Sequence, residues 1–303
     1  MSFFDFLLDL ANPHLAFLSR AVVMAVLSAV LCSIIGTHVV LRGSSFIGEA
    51  LAHAVFPGIA LAYALGFSIL LGGAVAGAIV TILITVFSRD RRVGQDAIIA
   101  IFFASAFATG LVIMSQIDGY TGSLESFLFG SLTASTASDL VTTTVAGIVL
   151  LGVLALAHRP LVSVSLDREF AAMTGINTTR MDLVLHLSIA GAVVLSVQTI
   201  GNILVLALLV TPPSIARLLS DRIGTMMIIS PIIASFAAFI GIWVSWAADV
   251  PTGAAIVLCL FALFLLAWLI SRGGSLATRR RRGKLGSVVQ YQETHQRSVV
   301  HPR

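Results

Sequence analysis

A glutamate and a histidine four residues apart lie in a stretch that is otherwise apolar and long enough to cross a membrane. The stretch runs from residue 43 to residue 66, and the two side chains are Glu49 and His53. Residues i and i+4 of a helix share one face, so both side chains point the same way. A carboxylate that faces lipid costs about 2.5 kcal/mol or more. We therefore expect this face to line a bundle interior or a wet pathway.

A carboxylate beside an imidazole suits three kinds of role. The pair is a partial ligand shell for Mn²⁺, Fe²⁺ or Zn²⁺, a proton relay, or a polar contact between helices. A helix that enters the membrane near residue 44 places His53 about 13 Å along its axis, close to the bilayer centre. The residue types alone leave all three roles open.

Pro57 and Gly58 follow the pair within the same stretch. Proline removes a backbone donor and disturbs a helix interior, and the glycine beside it adds freedom. We predict a kinked or locally unwound helix at these two residues. Transporters expose backbone groups to their substrates at broken helices of this kind.

The composition of the chain is that of an integral membrane protein. Of its 303 residues, 58% are hydrophobic and only 11% are charged, whereas soluble domains have about 25% charged residues. The predicted fold class is all-α, a polytopic membrane protein with eight or nine transmembrane helices and a short cytosolic helix. Apolar runs long enough to span occupy about 16–41, 44–66, 68–88, 97–116, 139–157, 183–218, 225–247 and 252–271.

Arginines in the loops predict the orientation. The loops at 89–92 and 158–182 are rich in arginine and are predicted to be cytoplasmic, whereas 117–138 has no Lys or Arg and is predicted to be outside. The run 183–218 must then cross the membrane twice, with a split near Gln198 to Asn202. This gives nine spans, with the N-terminus outside and the C-terminus in the cytoplasm. The count is eight if the two short crossings within 183–218 are partly re-entrant.

Several catalytic signatures are missing from the sequence. The only lysine is Lys284, and Leu285 follows it, so no phosphate-binding loop of the GxxxxGK[ST] type exists. The sequence also has no G-x-S-x-G, H-E-x-x-H or CxxC motif. We therefore expect a protein that is not an enzyme by itself. His38 and His186 lie in apolar runs and are predicted to be structural.

A short helix is predicted within the arginine-rich loop 158–182. Asp167 suits the N-cap, Glu169 the first turn and Gly175 the C-terminal cap. Phe170 and Met173 would share one face of this helix. It would either lie on the lipid headgroups or dock into a groove on a partner protein.

The chain divides into three predicted segments. Residues 1–14 form an interfacial segment, with Phe3, Phe4, Phe6, Leu7 and Leu10 in the headgroups. Residues 15–271 form the transmembrane domain. Residues 272–303 lose their apolar character and form a flexible basic cytosolic tail.

Four motifs in order along the chain resemble one family, the permease subunits of ATP-binding-cassette importers for manganese, zinc and iron. They are GEALAHAVFPG at 48–58, D-x-E-F-A-x-x-x-G at 167–175, QTIGNILVLALLVTPPSIARLL at 198–219 and DVPTGAAIVL at 249–258. Each motif is modest alone, but the resemblance extends over about residues 15 to 270. The family more often has aspartate at position 49, and the longer glutamate moves the carboxylate.

The resemblance implies partners and roles. The partners are two cytosolic ATPase subunits, a second permease copy (identical or a paralogue) and an extracytoplasmic metal-binding protein, with no nucleic acid. No cofactor is bound permanently, because the divalent metal is the substrate. Glu49 and His53 match the pair that contacts metal in transit, and residues 167–175 match the coupling helix. Three polar residues near the outer ends of their spans are either gate residues or simple hydrogen-bonding contacts between helices: Gln198, Asn202 and Asp249.

The sequence thus predicts a permease that moves a divalent transition metal inward by alternating access, driven by a separate ATPase. An ion-coupled secondary transporter is the first alternative and would need no ATPase. A siderophore or cobalamin permease of the same architecture is the second and would need a wide cavity. A membrane scaffold without transport is the third, and it gives no reason for Glu49 within a span.

Overall fold

The computed structural model describes residues 3–88, 92–116, 130 and 132–272. Within these ranges all regular structure is helical, which confirms the predicted all-α class. Arg89 and Arg91 of the predicted inner loop lie outside the described residues, as do 117–129 and the basic tail from residue 273 onward.

Thirteen α-helices can be numbered in the described part of the chain. They are α1 (Phe3–Leu10), α2 (Ala16–Leu41), α3 (Ser45–Ala54), α4 (Phe56–Leu65), α5 (Ile69–Phe87), α6 (Gln95–Ser115), α7 (Ala137–Leu156), α8 (His158–Leu166), α9 (Arg168–Met173), α10 (Thr178–Ile200), α11 (Asn202–Leu219), α12 (Ile223–Ala248) and α13 (Thr252–Arg272).

Nine helical segments of the described ranges, with α3 and α4 counted as one, are long and apolar enough to cross a membrane. The split within the long apolar run 183–218 falls at Gly201, between α10 and α11. Gly201 has φ 79°, a backbone angle that glycine adopts readily and other residues rarely do. The described residues thus contain nine candidate spans, which agrees with the prediction of eight or nine.

Helix α2 lies at the centre of the bundle. It packs against α10, α11 and α12, and its contacts extend to α7. Its buried side chains include Met24, Cys32 and Ile35. Because α2 is covered on several sides, its hydrophobic residues surround the whole helix instead of forming one stripe.

Small residues let α4 and α5 approach each other closely. A Cβ atom added to Gly58 would lie 2.1 Å from the carbonyl oxygen of Gly72, and one added to Gly72 would lie 2.3 Å from that of Gly58. Gly77 packs in the same way against Val55 and Ala190. Small residues of α5 thus allow its neighbours to pack closely against it.

The N-terminal helix α1 packs on the bundle. Phe6 is fully buried and meets Phe239 of α12 edge to face, with ring centroids 5.8 Å apart. The indole nitrogen of Trp246 donates to Asp9 over 3.2 Å. Phe4 and Leu8 are exposed. The expectation that Phe6 lies among headgroups is wrong, because α12 offers it an aromatic surface.

Candidate functional site

The helix that carries Glu49 and His53 is interrupted just after them. Helix α3 ends at Ala54, Val55 forms the junction, and α4 begins at Phe56. Pro57 is the second residue of α4, where its missing N–H is tolerated. A continuous helix would need that N–H to bond the carbonyl of His53. The interruption thus lies two residues before Pro57, and Gly58 serves close packing against α5.

Glu49 and His53 lie on the same face of α3. Within the analysed chain Glu49 is exposed, and the part of the chain that the structure describes gives its carboxylate no hydrogen bond or ion pair. His53 is half-buried. The face therefore presents one free carboxylate and one partly covered imidazole at the edge of the bundle.

Two phenylalanines of α6 flank the ring of His53. The ring centroids of Phe103 and Phe107 lie 5.1 and 5.2 Å from that of His53, both edge to face. The two phenylalanine rings are themselves stacked, at an interplanar angle of 8°. These contacts restrict the imidazole to a narrow range of orientations.

Asn202 of α11 is the polar neighbour of His53. Its amide nitrogen lies 3.0 Å from Nδ1 and 3.2 Å from Nε2 of the ring. Asn202 is 1% exposed, because the break between helices α10 and α11 at Gly201 lies within the bundle. Its Oδ1 atom is buried and has no hydrogen-bond partner among the described residues. This contact joins the α3–α4 span to the break between α10 and α11.

The other two candidate gate residues lie elsewhere. Gln198 and Asp249 are both exposed, and no hydrogen bond in the described part of the chain joins either to His53. Asp249 ends α12 in the left-handed region, with φ 53°. Of the three predicted gate residues, the structure brings only Asn202 to the Glu49 and His53 pair.

Few residues could complete a metal site within one chain. Among the described residues no group of three or more His, Cys, Asp or Glu side chains comes together. His186 instead contacts the hydroxyl of Thr85, with 3.2 Å between Nδ1 and Oγ1. His38 is fully buried beside His158, with ring centroids 5.4 Å apart. Within the described part of the chain, Glu49 and His53 are therefore two candidate ligands without a third His, Cys, Asp or Glu beside them.

The predicted short helix of the loop 158–182 is present as α9. The carboxylate of Asp167 caps it by accepting the Phe170 N–H over 2.9 Å. Glu169 lies in the first turn, and Gly175 follows the helix with φ 85°. Phe170 and Met173 are 59% and 79% exposed. The helix thus presents two large apolar side chains that the described residues of its own chain leave exposed.

Comparison with known proteins gives a consistent picture. The ABC 3 transport family matches residues 14–271. The manganese transport system membrane protein MntC of Halalkalibacterium halodurans is 36% identical, over 93% of this chain and 95% of its own length. The chelated iron transport system membrane protein YfeC of Yersinia pestis is 31% identical, over 88% of this chain and 90% of its own.

A solved structure is similar as well. It is PsaBC from Streptococcus pneumoniae in complex with Fab, at 27% identity and a TM-score of 0.79, with 88% of this chain and 95% of that chain covered. The family match takes in α2 to α12 and most of α13, including Glu49, His53, Asn202 and α9. The chain belongs to the ABC 3 transport family.

Proposed function

We propose that the chain is the membrane-spanning subunit of an ABC importer for a divalent transition metal, and that Glu49 and His53 bind the ion in transit. The observation that carries the proposal is an ionisable pair on one face of an apolar span, in a chain of the ABC 3 transport family. The ion is cargo that binds and leaves, so we propose no resident cofactor.

Manganese is the first cargo to test. The names of MntC and of the permease ScaB from Streptococcus parasanguinis specify manganese, and that of YfeC specifies chelated iron. A carboxylate and an imidazole suit Mn²⁺, Fe²⁺ and Zn²⁺, whereas a thiolate site would favour softer ions. The donors thus agree with the cargo of the relatives without separating these three ions.

A second permease copy would complete the site. The two candidate ligands among the described residues of one chain are fewer than a transition metal takes, since even zinc takes four. A twofold axis beside α3 would bring a second Glu49 and a second His53 to the same ion. The second copy would also cover the exposed carboxylate of Glu49, because a carboxylate that faces lipid costs free energy. The second copy can be identical or a paralogue.

Energy would come from separate ATPase subunits. The chain has no GxxxxGK[ST] loop, and α9 offers exposed Phe170 and Met173 as a docking surface. We propose that α9 faces the cytoplasm, with the N-terminus outside and the C-terminus inside. An extracytoplasmic binding protein would deliver the metal to the opposite end.

The test is metal uptake in cells that lack the chain. Cells would receive the wild-type chain or the variant Glu49→Gln/His53→Gln, which keeps side-chain size and removes the charge and the imidazole. We expect wild type to restore Mn²⁺ uptake and the variant to abolish it at equal membrane abundance. As controls, His14→Gln and Asp96→Asn remove an imidazole and a carboxylate at exposed positions, and both variants should restore uptake fully.

Other results would point to the alternatives. Normal uptake by the double variant would remove Glu49 and His53 from the pathway. Uptake of chelated but not free metal would favour a siderophore permease. Uptake into vesicles without ATP, driven by an ion gradient, would favour a secondary transporter.

A further inference from the structure

One carboxylate holds two arginines from distant parts of the chain. Asp182 of α10 accepts from Arg42 Nη1 at 2.7 Å through Oδ1 and from Arg168 Nη2 at 2.5 Å through Oδ2. A second nitrogen of Arg168, Nη1, lies 3.3 Å from Oδ1. We call Arg42, Asp182 and Arg168 the Asp182 triad.

The triad consists of two ion pairs, which we call the Arg42 arm (Arg42 with Asp182) and the Arg168 arm (Arg168 with Asp182). The two arms differ in exposure. The side chains of Arg42 and Asp182 are 10% and 12% exposed, whereas that of Arg168 is 58% exposed. A buried ion pair cannot exchange its partner for water without a large penalty, but an exposed pair can. Burial lowers the pKa of Arg42 and the neighbouring Asp182 carboxylate opposes this. The Arg42 arm is therefore the fixed arm, and the Arg168 arm can open and close.

Each arm begins at a different functional element. Arg168 is the first residue of α9, the proposed docking helix. Arg42 follows the last residue of α2, and α3, with Glu49 and His53, begins three residues later. Arg42 also donates from Nε to the hydroxyl of Ser165 in α8, over 3.1 Å. The triad is thus a direct polar connection between α9 and the α2–α3 turn.

The connection is short and has room to move. Only Gly43 and Ser44 separate Arg42 from the first residue of α3, so a movement of Arg42 reaches α3 through a short segment. A polar cavity of about 170 Å³ lies against all three members of the triad and Ser44. Arg168 can therefore change rotamer without displacing packed side chains.

We infer that Asp182 is a positioning residue that couples movement of α9 to the α3 segment carrying the metal pair. The inference rests on the proposed function of α9 and goes beyond it by naming the side chains that transmit the movement. The exposed guanidinium of Arg168 is bound to Asp182 through two nitrogens. When α9 shifts, it can therefore pull the buried carboxylate, and Arg42 moves with that carboxylate. The opposite shift opens the exposed arm and leaves the buried arm intact.

The experiment uses the assembled transporter in proteoliposomes, with ATP hydrolysis and Mn²⁺ uptake measured in the same sample. The variant is Arg168→Gln, because it removes only the exposed arm and leaves Asp182 paired with Arg42. We expect ATPase subunits to co-purify as with wild type and ATP hydrolysis to persist. The number of metal ions moved per ATP hydrolysed should fall about 5- to 150-fold, which is the range of factors that typical coupling free energies produce. Arg168→Lys should restore part of the ratio.

The matched control is a second arginine–carboxylate pair. Arg217 and Asp221, near the end of α11, lie 3.6 Å apart and are both exposed. Arg217→Gln should leave the uptake per ATP unchanged. Asp182→Asn should lower the ratio further than Arg168→Gln, provided that the protein folds with Arg42 left unpaired; Arg168→Gln decides the case if it does not.

Two results would overturn the inference while the proposed function stands. One is an Arg168→Gln transporter with the wild-type number of ions moved per ATP. The other is loss of ATPase co-purification, which would make Arg168 a docking contact rather than a link to α3. A wild-type transporter without ATP-driven metal uptake would instead refute the proposed function, and the inference with it.

Discussion

The amide nitrogen of Asn202 lies 3.0 Å from Nδ1 of His53 although the two residues are 149 positions apart. The amide can meet the ring in two ways. Its N–H₂ donates to an unprotonated ring nitrogen, or, turned over, its Oδ1 accepts the ring N–H. In the second arrangement the other ring nitrogen is free to bind metal, as in histidine sites whose second nitrogen donates to a neighbouring acceptor.

Asn202→Leu should therefore weaken metal binding by His53. Leucine is close to asparagine in shape and fills the same space, so we expect normal abundance in the membrane. The KM for Mn²⁺ uptake should rise about 10- to 100-fold, the usual effect of losing a residue that orients a ligand. Uptake kinetics at several Mn²⁺ concentrations measure this change.

Gln198→Leu is the matched control for Asn202→Leu. Gln198 lies four residues before Asn202 and is exposed, and no hydrogen bond among the described residues joins it to His53. Its replacement should leave KM unchanged. Equal effects of both substitutions would favour a common gate over orientation of His53 by Asn202.

Phe170→Ala/Met173→Ala should separate the chain from its proposed ATPase. The double change removes two apolar side chains that are 59% and 79% exposed, and interface anchors of this kind carry much of the binding energy. We expect the ATPase to be lost from the purified complex while the chain still reaches the membrane. Leu219→Ala removes an exposed apolar side chain at the end of α11 and should keep the ATPase bound.

Asp167→Ala should loosen α9 without affecting the spans. The carboxylate accepts the Phe170 N–H over 2.9 Å, and loss of such a cap costs about 1 kcal/mol. Hydrogen exchange of the α9 amides should become faster, while exchange in α10 stays unchanged. In Asp167→Asn, whose side chain can still cap the helix, the α9 amides should exchange at nearly the wild-type rate. If they exchange as fast as in Asp167→Ala, the side-chain cap does not hold the helix.

Gly58→Ala should destabilise the bundle where α4 meets α5. The added Cβ would lie 2.1 Å from the Gly72 carbonyl oxygen, and overpacking of this kind costs about 1–3 kcal/mol. The melting temperature in detergent should fall. Gly152→Ala, in α7, meets no atom within 4 Å and should leave stability the same or higher. A Gly58→Ala protein as stable as wild type would contradict the close helix contact.

The sequence predicted what depends on local pattern. Nine spans follow from apolar runs and arginine positions, and α9 follows from Asp167 and Gly175 at its two ends. Contacts between distant segments carry no such signal. Asn202 meets His53 across 149 residues, and Asp182 meets Arg42 across 140. Asp182 is a charged residue near the start of a span, and nothing near it in the sequence identifies its partners.

The break after His53 gives a second example. Pro57 predicted an interruption at its own position, but a proline disturbs the hydrogen bond that it would donate to a residue four positions earlier. The helix therefore ends before it, at Ala54. Gly58, read as part of the same break, is instead required by the approach of Gly72, which depends on how α5 packs.

Among its described residues, one chain offers only two candidate ligands, Glu49 and His53. This has a genetic consequence. If two identical copies share one ion, a single codon change at His53 removes two ligands from every transporter. In a cell that also makes the wild-type chain, most pairs contain at least one altered copy. A loss-of-ligand allele would then be dominant over the wild type, whereas a paralogous partner would make the same allele recessive to an added wild-type gene.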